Sequence, residues 1–220
     1  MPEVTPRQNR TIRRRAQSFE SLVQAGLNII GKRGVYETTI EHITEAADVG
    51  KGTFYGHFPS KEDLVHHLVR DGFNDLIAAV RKETRKGRTP EDGLAGLIRA
   101  QLRVLCRRRD LIILLHQVRG LLILQPEARP SLRKEYRRYV HFLAATCRQI
   151  LGVSRLDPGE ARDLACAIAG FVAGTLSFEM LVRGGRGMQT PSVPLIKAFA
   201  SGVAARYAPT RRSANGSRLR

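Results

Sequence analysis

The chain has 220 residues, 42% hydrophobic and 26% charged, which fits a folded protein of one large or two small domains with a sizeable core. A formal net charge of +17 favours polyanionic partners, and a charged, polar N-terminus without an apolar run argues against a signal peptide and for a cytoplasmic protein. Cys106, Cys147 and Cys166 lack CxxC or metal-like spacing and read as reduced core thiols; with no phosphate-cradling glycine loop, nucleophile elbow or metal-ligand cluster, no enzyme activity, cofactor or metal is expected.

In chain order, residues 1–15 read as a basic flexible arm, in which Arg7, Arg10, Arg13, Arg14 and Arg15 either reach a minor groove or phosphates or form a solvated tail. A helix over Arg13–Arg33 follows, with Phe19, Leu22, Val23, Gly26 and Ile30 on one core stripe, and Gly34 ends it. The segment Thr38–Leu64 then reads as two short helices joined by a tight turn and followed by a third, capped helix. Thr38 with Glu41 forms a capping box, Ile40, Ile43 and Ala47 share a face, and Asp48 makes the turn because aspartate tolerates the left-handed backbone region. Gly50 caps the next helix, Gly50–His57. Phe54 anchors it, while Lys51, Thr53, Tyr55 and His57 offer donors to phosphates and base edges, Lys51 being the first choice for base readout. Gly50, Gly52 and Gly56 let the backbone approach DNA closely but leave the helix dependent on its neighbours for order. Phe58-Pro59 ends it, Ser60 with Asp63 makes a second capping box, and Lys61 lies in that first turn where a phosphate is favoured.

Behind this unit the breaks predict helices over Ser60–Lys86, Pro90–Arg109, Leu111–Leu124, Pro130–Leu151, Pro158–Arg183 and Ser192–Tyr207, an all-α fold. Pro158–Arg183 is apolar nearly all round and must be covered on most sides; its uncharged stretch Leu164–Phe178 is shorter than the roughly 20 residues of a membrane span, so no membrane is expected. Leu111–Leu124 places His116 and Gln117 among aliphatic residues, where they either line a pocket or sit in plain core. Charge is unevenly spread. Residues 16–70 hold five basic and seven acidic side chains, whereas residues 71–205 hold 22 basic and 12 acidic, and 208–220 read as a basic disordered tail. A solvated surface, non-specific DNA attraction and a basic rim for an anionic ligand remain three readings of that excess.

The run Thr38-Thr39, Ile43, Ala47-Asp48-Val49, Gly52-Thr53-Phe54-Tyr55-Gly56-His57-Phe58 and Ser60-Lys61-Glu62 resembles the TetR family of helix-turn-helix transcriptional regulators. Asp48 and Gly50 stand where that family generally has glycine and serine. The resemblance implies a helix-turn-helix head over 16–62 and an all-helical ligand-binding and dimerisation body over 63–207. It further implies a repressor released by a small-molecule effector, with Thr39, Gly50, Lys51, Gly52, Thr53, Tyr55, His57 and Lys61 facing double-stranded DNA. A homodimer through 158–183 and 192–207 would read a palindromic operator, and His116 and Gln117 are the candidate effector contacts for a lipophilic or anionic molecule. The alternative is a non-specific basic DNA-binding or nucleoid-like protein.

Overall fold

Among the described residues every regular element is an α-helix; the computed structural model describes residues 6–85, 88–125, 129–152, 156–183 and 191–207, with side chains from Asn9 onward. The helices are α1 (Pro6–Glu37), α2 (Ile40–Ala46), α3 (Lys51–Tyr55), α4 (Lys61–Thr84), α5 (Pro90–Arg107), α6 (Arg109–Leu124), α7 (Pro130–Leu151), α8 (Pro158–Val182) and α9 (Val193–Arg206). Their ends follow from local chemistry. The Thr89 hydroxyl accepts from Asp92 N–H ahead of Pro90, and the Asp157 carboxylate accepts from Gly159 and Glu160 N–H around Pro158. Gly152, with φ 100°, stops α7 where the sequence predicts.

The N-terminus differs from expectation. Residues 6–15 are not a loose arm but the first turns of α1, since arginine is a good helix former and Pro6 suits a helix start. Arg10, Arg13 and Arg14 therefore stand exposed at helical spacing, one turn apart. Residues 1–5, the Arg7 side chain and the 208–220 tail lie outside the described residues.

A second correction concerns the start of α2. Thr38 is buried and donates its hydroxyl to the Gly34 carbonyl at 2.6 Å, which fixes the bend at the end of α1. Thr39 is the cap: its hydroxyl accepts from His42 N–H at 3.3 Å, and His42 Nδ1 accepts in turn from Thr39 N–H at 3.3 Å. Histidine thus takes the place expected for Glu41. Asp48 has φ 53°, the left-handed geometry the turn requires.

Helices α1, α2 and α3 and the start of α4 form the head, cored by Leu22, Ile30, Ile43, Phe54 and Leu64. Helix α4 crosses the domain boundary expected at residue 62: its 24 residues run from the head into the body, where Phe73, Leu76 and Val80 pack with Leu97, Ile98, Leu102 and Leu114. One rigid rod is therefore shared by both parts.

Helix α8 is not covered on most sides. Its buried stripe, Ala161, Leu164, Ala165, Ile168, Val172 and Leu176, packs mainly on α7, while Ala167, Gly170, Phe178 and Leu181 stand open to solvent. By length and composition alone it could cross a membrane, but its apolar character is divided between a packed face and a bare one. Helix α9 lies on α5 and buries only Ile196 and Ala200; its Phe199 stacks on Phe171 of α8 with centroids 5.0 Å apart. Of the cysteines, Cys147 is buried, Cys106 half-buried and Cys166 exposed, so the last is not a core thiol.

Candidate nucleic-acid interface

Helix α3 has only five residues, too few to be stable alone. Its order comes from Phe54, fully buried, which tilts against Phe58 at 5.8 Å; Phe58 stacks on Phe19 of α1 at 5.4 Å, and Phe19 meets His67 of α4 edge-on at 5.1 Å. Two helices, α1 and α4, and the Phe58 connection thus grip one short helix through a single aromatic cluster. The opposite face of α3 carries Lys51, Gly52 and Thr53, all exposed, with Tyr55 beside them at 55% exposure. Around Gly50 and Gly52 there is open space where a Cβ would stand. This bare, donor-bearing face is what a groove-reading helix needs.

Lys51 is not idle in the free protein. Its ammonium pairs with Glu41 of α2, and the two side chains are 58% and 57% exposed. The hydrogen bond from Lys51, followed by one from the local backbone, holds the Glu41 carboxyl down at about 2, and the same hydrogen bond raises Lys51. Lys51 therefore carries an exchangeable acidic partner in the position from which it would face DNA. Thr39 is exposed at the α2 cap beside this pair.

His57 stands half-buried, within 2.9 Å of the Ser18 hydroxyl and edge-on to Phe19. Burial first, and Arg15 second, lower its pKa, which favours the neutral ring. It braces α3 against α1 with only part of the ring open.

Lys61 does not point at a phosphate. Its ammonium donates to the carbonyls of Thr38, at 2.7 Å, and Val35, at 3.0 Å. These are the oxygens left over where α1 bends, and a cation there satisfies them. Ser60 does cap α4, accepting from Asp63 N–H at 3.1 Å, but its hydroxyl also bonds the Asp63 carboxylate at 2.6 Å.

The body holds a cavity of about 270 Å³ between α4, α5, α6, α7 and α8. His116 lines it, bonded to Ser177 of α8 through Nε2 and receiving a hydrogen bond from Arg119 at its Nδ1, 2.8 Å away. Burial and the neighbouring Arg119 lower the His116 pKa. Gln117 is elsewhere: its side-chain oxygen accepts from Val35 N–H of the head at 2.6 Å, so it is no cavity contact. Two cavity residues escaped the sequence reading. Gln101, 1% exposed, accepts from the Tyr139 hydroxyl at 2.5 Å and donates to Leu97 O at 3.1 Å. A lone glutamine on the helix face that carries Ile98, Leu102 and Leu105 was the signal for this pair. Arg119 stands exposed at the rim, with donors beyond the one given to His116.

Several of the body's basic side chains serve as internal ties. Arg103 meets Glu83 at 3.3 Å, Arg138 meets Glu135 at 2.8 Å, and Arg108 pairs with Asp75. Arg129 at the start of α7 reaches Glu62 at 3.6 Å, and His66 reaches Glu135 at 3.5 Å, both joining α4 to the body.

Residues 22–68, the head and the opening turns of α4, match the family described as bacterial regulatory proteins, tetR family. The HTH-type transcriptional repressor KstR2 of Mycolicibacterium smegmatis is 26% identical over 99 residues, 45% of this chain and 48% of that protein. The HTH-type transcriptional repressor DhaR of Mycobacterium sp. is 32% identical over 71 residues, 32% of this chain and 36% of that one. The chain thus spans half or less of the length of these relatives. The solved transcriptional regulator FadR of Bacillus subtilis, in complex with stearoyl-CoA, superposes with a TM-score of 0.64 over 86% of this chain and 97% of that one; at 18% identity the likeness concerns the fold.

Proposed function

From a head that belongs to the tetR family of bacterial regulators, we propose a cytoplasmic, dimeric, sequence-specific DNA-binding regulator of transcription, a repressor released from a palindromic operator by a small molecule. The observation that carries it is α3, whose Phe54 is locked in an aromatic cluster while Lys51, Thr53 and Tyr55 stand exposed on the outer face. Thr39 and the open backbone at Gly50 and Gly52 extend that face. Lys61 and His57 support it from behind, Lys61 wholly so.

The apolar outer faces of α8 and α9 are where a second copy packs, giving two heads about 34 Å apart for successive major grooves. The effector occupies the body cavity. Aliphatic walls, a buried Gln101–Tyr139 pair and Arg119 at the rim suit an apolar molecule with an acidic group. The stearoyl-CoA held by the Bacillus subtilis structure is of that chemical kind.

Selection of bound DNA from a random pool by the purified full chain tests this reading. An enriched palindrome is the expected result. Equal affinity for all sequences would replace it with a non-specific basic DNA binder, the reading that the net charge of +17 favours.

A further inference from the structure

We propose that Gln117 is the positioning residue that couples the body cavity to the turn carrying the DNA-reading helices, an inference that rests on the effector reading above. Neighbouring residues of α6 serve two places. His116 stands in the cavity wall, tied to Ser177 of α8 and to Arg119. Gln117, next in sequence, reaches into the head and accepts the Val35 N–H at 2.6 Å, a short bond across 82 residues of chain.

The two peptide groups that flank Val35 are each held. Gln117 takes its N–H from the body, and Lys61 gives to its carbonyl from α4 at 3.0 Å. Gly34 just before it has φ 85°, and a Cβ there would lie 2.8 Å from Gln117 Nε2, so the carboxamide seats against bare backbone. Thr38 then donates to Gly34 O at 2.6 Å, and Thr39 caps α2. The placement of these two peptides therefore sets where α2 begins, and α2 positions α3. A helix moves as a rigid rod, so a ligand that displaces His116 also displaces Gln117. Helix α6 also packs along α1, with Asp110 against Gly31, and Arg129–Glu62 and His66–Glu135 tie α7 to α4, but these contacts end on α1 and α4, not on the turn before α2.

The effector is unidentified, so the test fills the cavity by mutation. Ala173→Phe projects a ring from α8 into the cavity, and it is crossed with Gln117→Met, which keeps the side-chain length and loses the acceptor. Two readouts are taken: affinity for the palindrome recovered by selection, and amide hydrogen exchange of residues 35–56 without DNA. Ala173→Phe alone is expected to weaken DNA binding about tenfold and to speed exchange across the segment. With Gln117→Met present it should change neither by more than about twofold, and Gln117→Glu, which keeps the acceptor oxygen, should restore the response. Should Gln117→Met fail to melt as a cooperative unit, Gln117→Asn, one methylene too short to reach, takes its place. An undiminished Ala173→Phe effect without Gln117 would overturn the coupling role and leave effector control standing. No effect of Ala173→Phe in either background would overturn both.

Discussion

Helices α3 and α8 share one trait and differ in everything else. On each, glycines leave open space outside the helix: Gly50 caps α3 and Gly52 lies within it, while Gly170 and Gly174 lie within α8, and no heavy atom stands within 4 Å of a Cβ built at any of them. On α3 the space is flanked by Lys51, Thr53 and Tyr55, and the five-residue helix hangs on one buried phenylalanine. On α8 it is flanked by Ala167, Phe178 and Leu181, and 25 residues are fixed by a stripe of six buried side chains. Open space beside hydrogen-bond donors suits a charged polymer; open space beside hydrocarbon suits a second apolar surface. The short helix borrows its order from its own subunit, and the long one has an apolar face left over, the face proposed for a second copy.

That contrast can be broken at either end. Phe54→Ala should have the largest effect, costing about 3–5 kcal/mol by emptying the aromatic cluster and abolishing sequence-specific binding; a head that melts unchanged would show that α3 is ordered by something else. The pair Phe178→Asp and Leu181→Asp, at 68% and 76% exposure, should convert dimer to monomer in sedimentation while leaving the helical content of the subunit intact. Lys61→Met should cost roughly 1.5–3 kcal/mol of stability, the scale for hydrogen bonds from a charged donor, with the preferred operator sequence unchanged. Lys51→Ala should do the reverse, leaving the melting temperature in place and relaxing base preference by about 1–3 kcal/mol. Interchanged outcomes for these two lysines would invert their roles.

The smallest effect is in pH. Burial lowers the pKa of His57, His67 and His116 below the ordinary histidine value of about 6.5, so near and below that pH the unfolded chain binds protons more readily than the folded one. Stability should fall as pH drops from 7.5 through 6.5, and His116→Gln should flatten the decline; a melting temperature that rises on acidification would contradict the neutral rings.

The fold was legible wherever a residue's role depended on its neighbours in sequence. Pro130 and Gly152 mark α7, Asp48 marks the turn, and Phe54 alternates with exposed donors. What could not be read depended on distant partners. Lys61 looks like a phosphate ligand until the carbonyls of Val35 and Thr38, 26 and 23 residues away, are placed against it. Gln117 looks like a cavity residue because its neighbour is one, yet a helix turns about 100° per residue, enough to send adjacent side chains to different sites. Thr38 and Thr39 are chemically identical in sequence, and only the bend at Gly34 decides which one caps α2.

The Glu41–Lys51 pair has a further consequence, in ionic strength. A lysine that binds DNA normally gains from releasing the counterions condensed on the phosphates, and so loses affinity as salt rises. Lys51 must first leave Glu41, whose bared carboxylate recruits a cation from solution, so ions released on one side are taken up on the other. If Lys51 reads DNA as proposed, its contribution should be nearly independent of salt, whereas attraction of phosphates to the exposed Arg10, Arg13 and Arg14 should weaken. Raising the salt should then strip away attraction that every sequence shares and leave the contact proposed to tell one sequence from another.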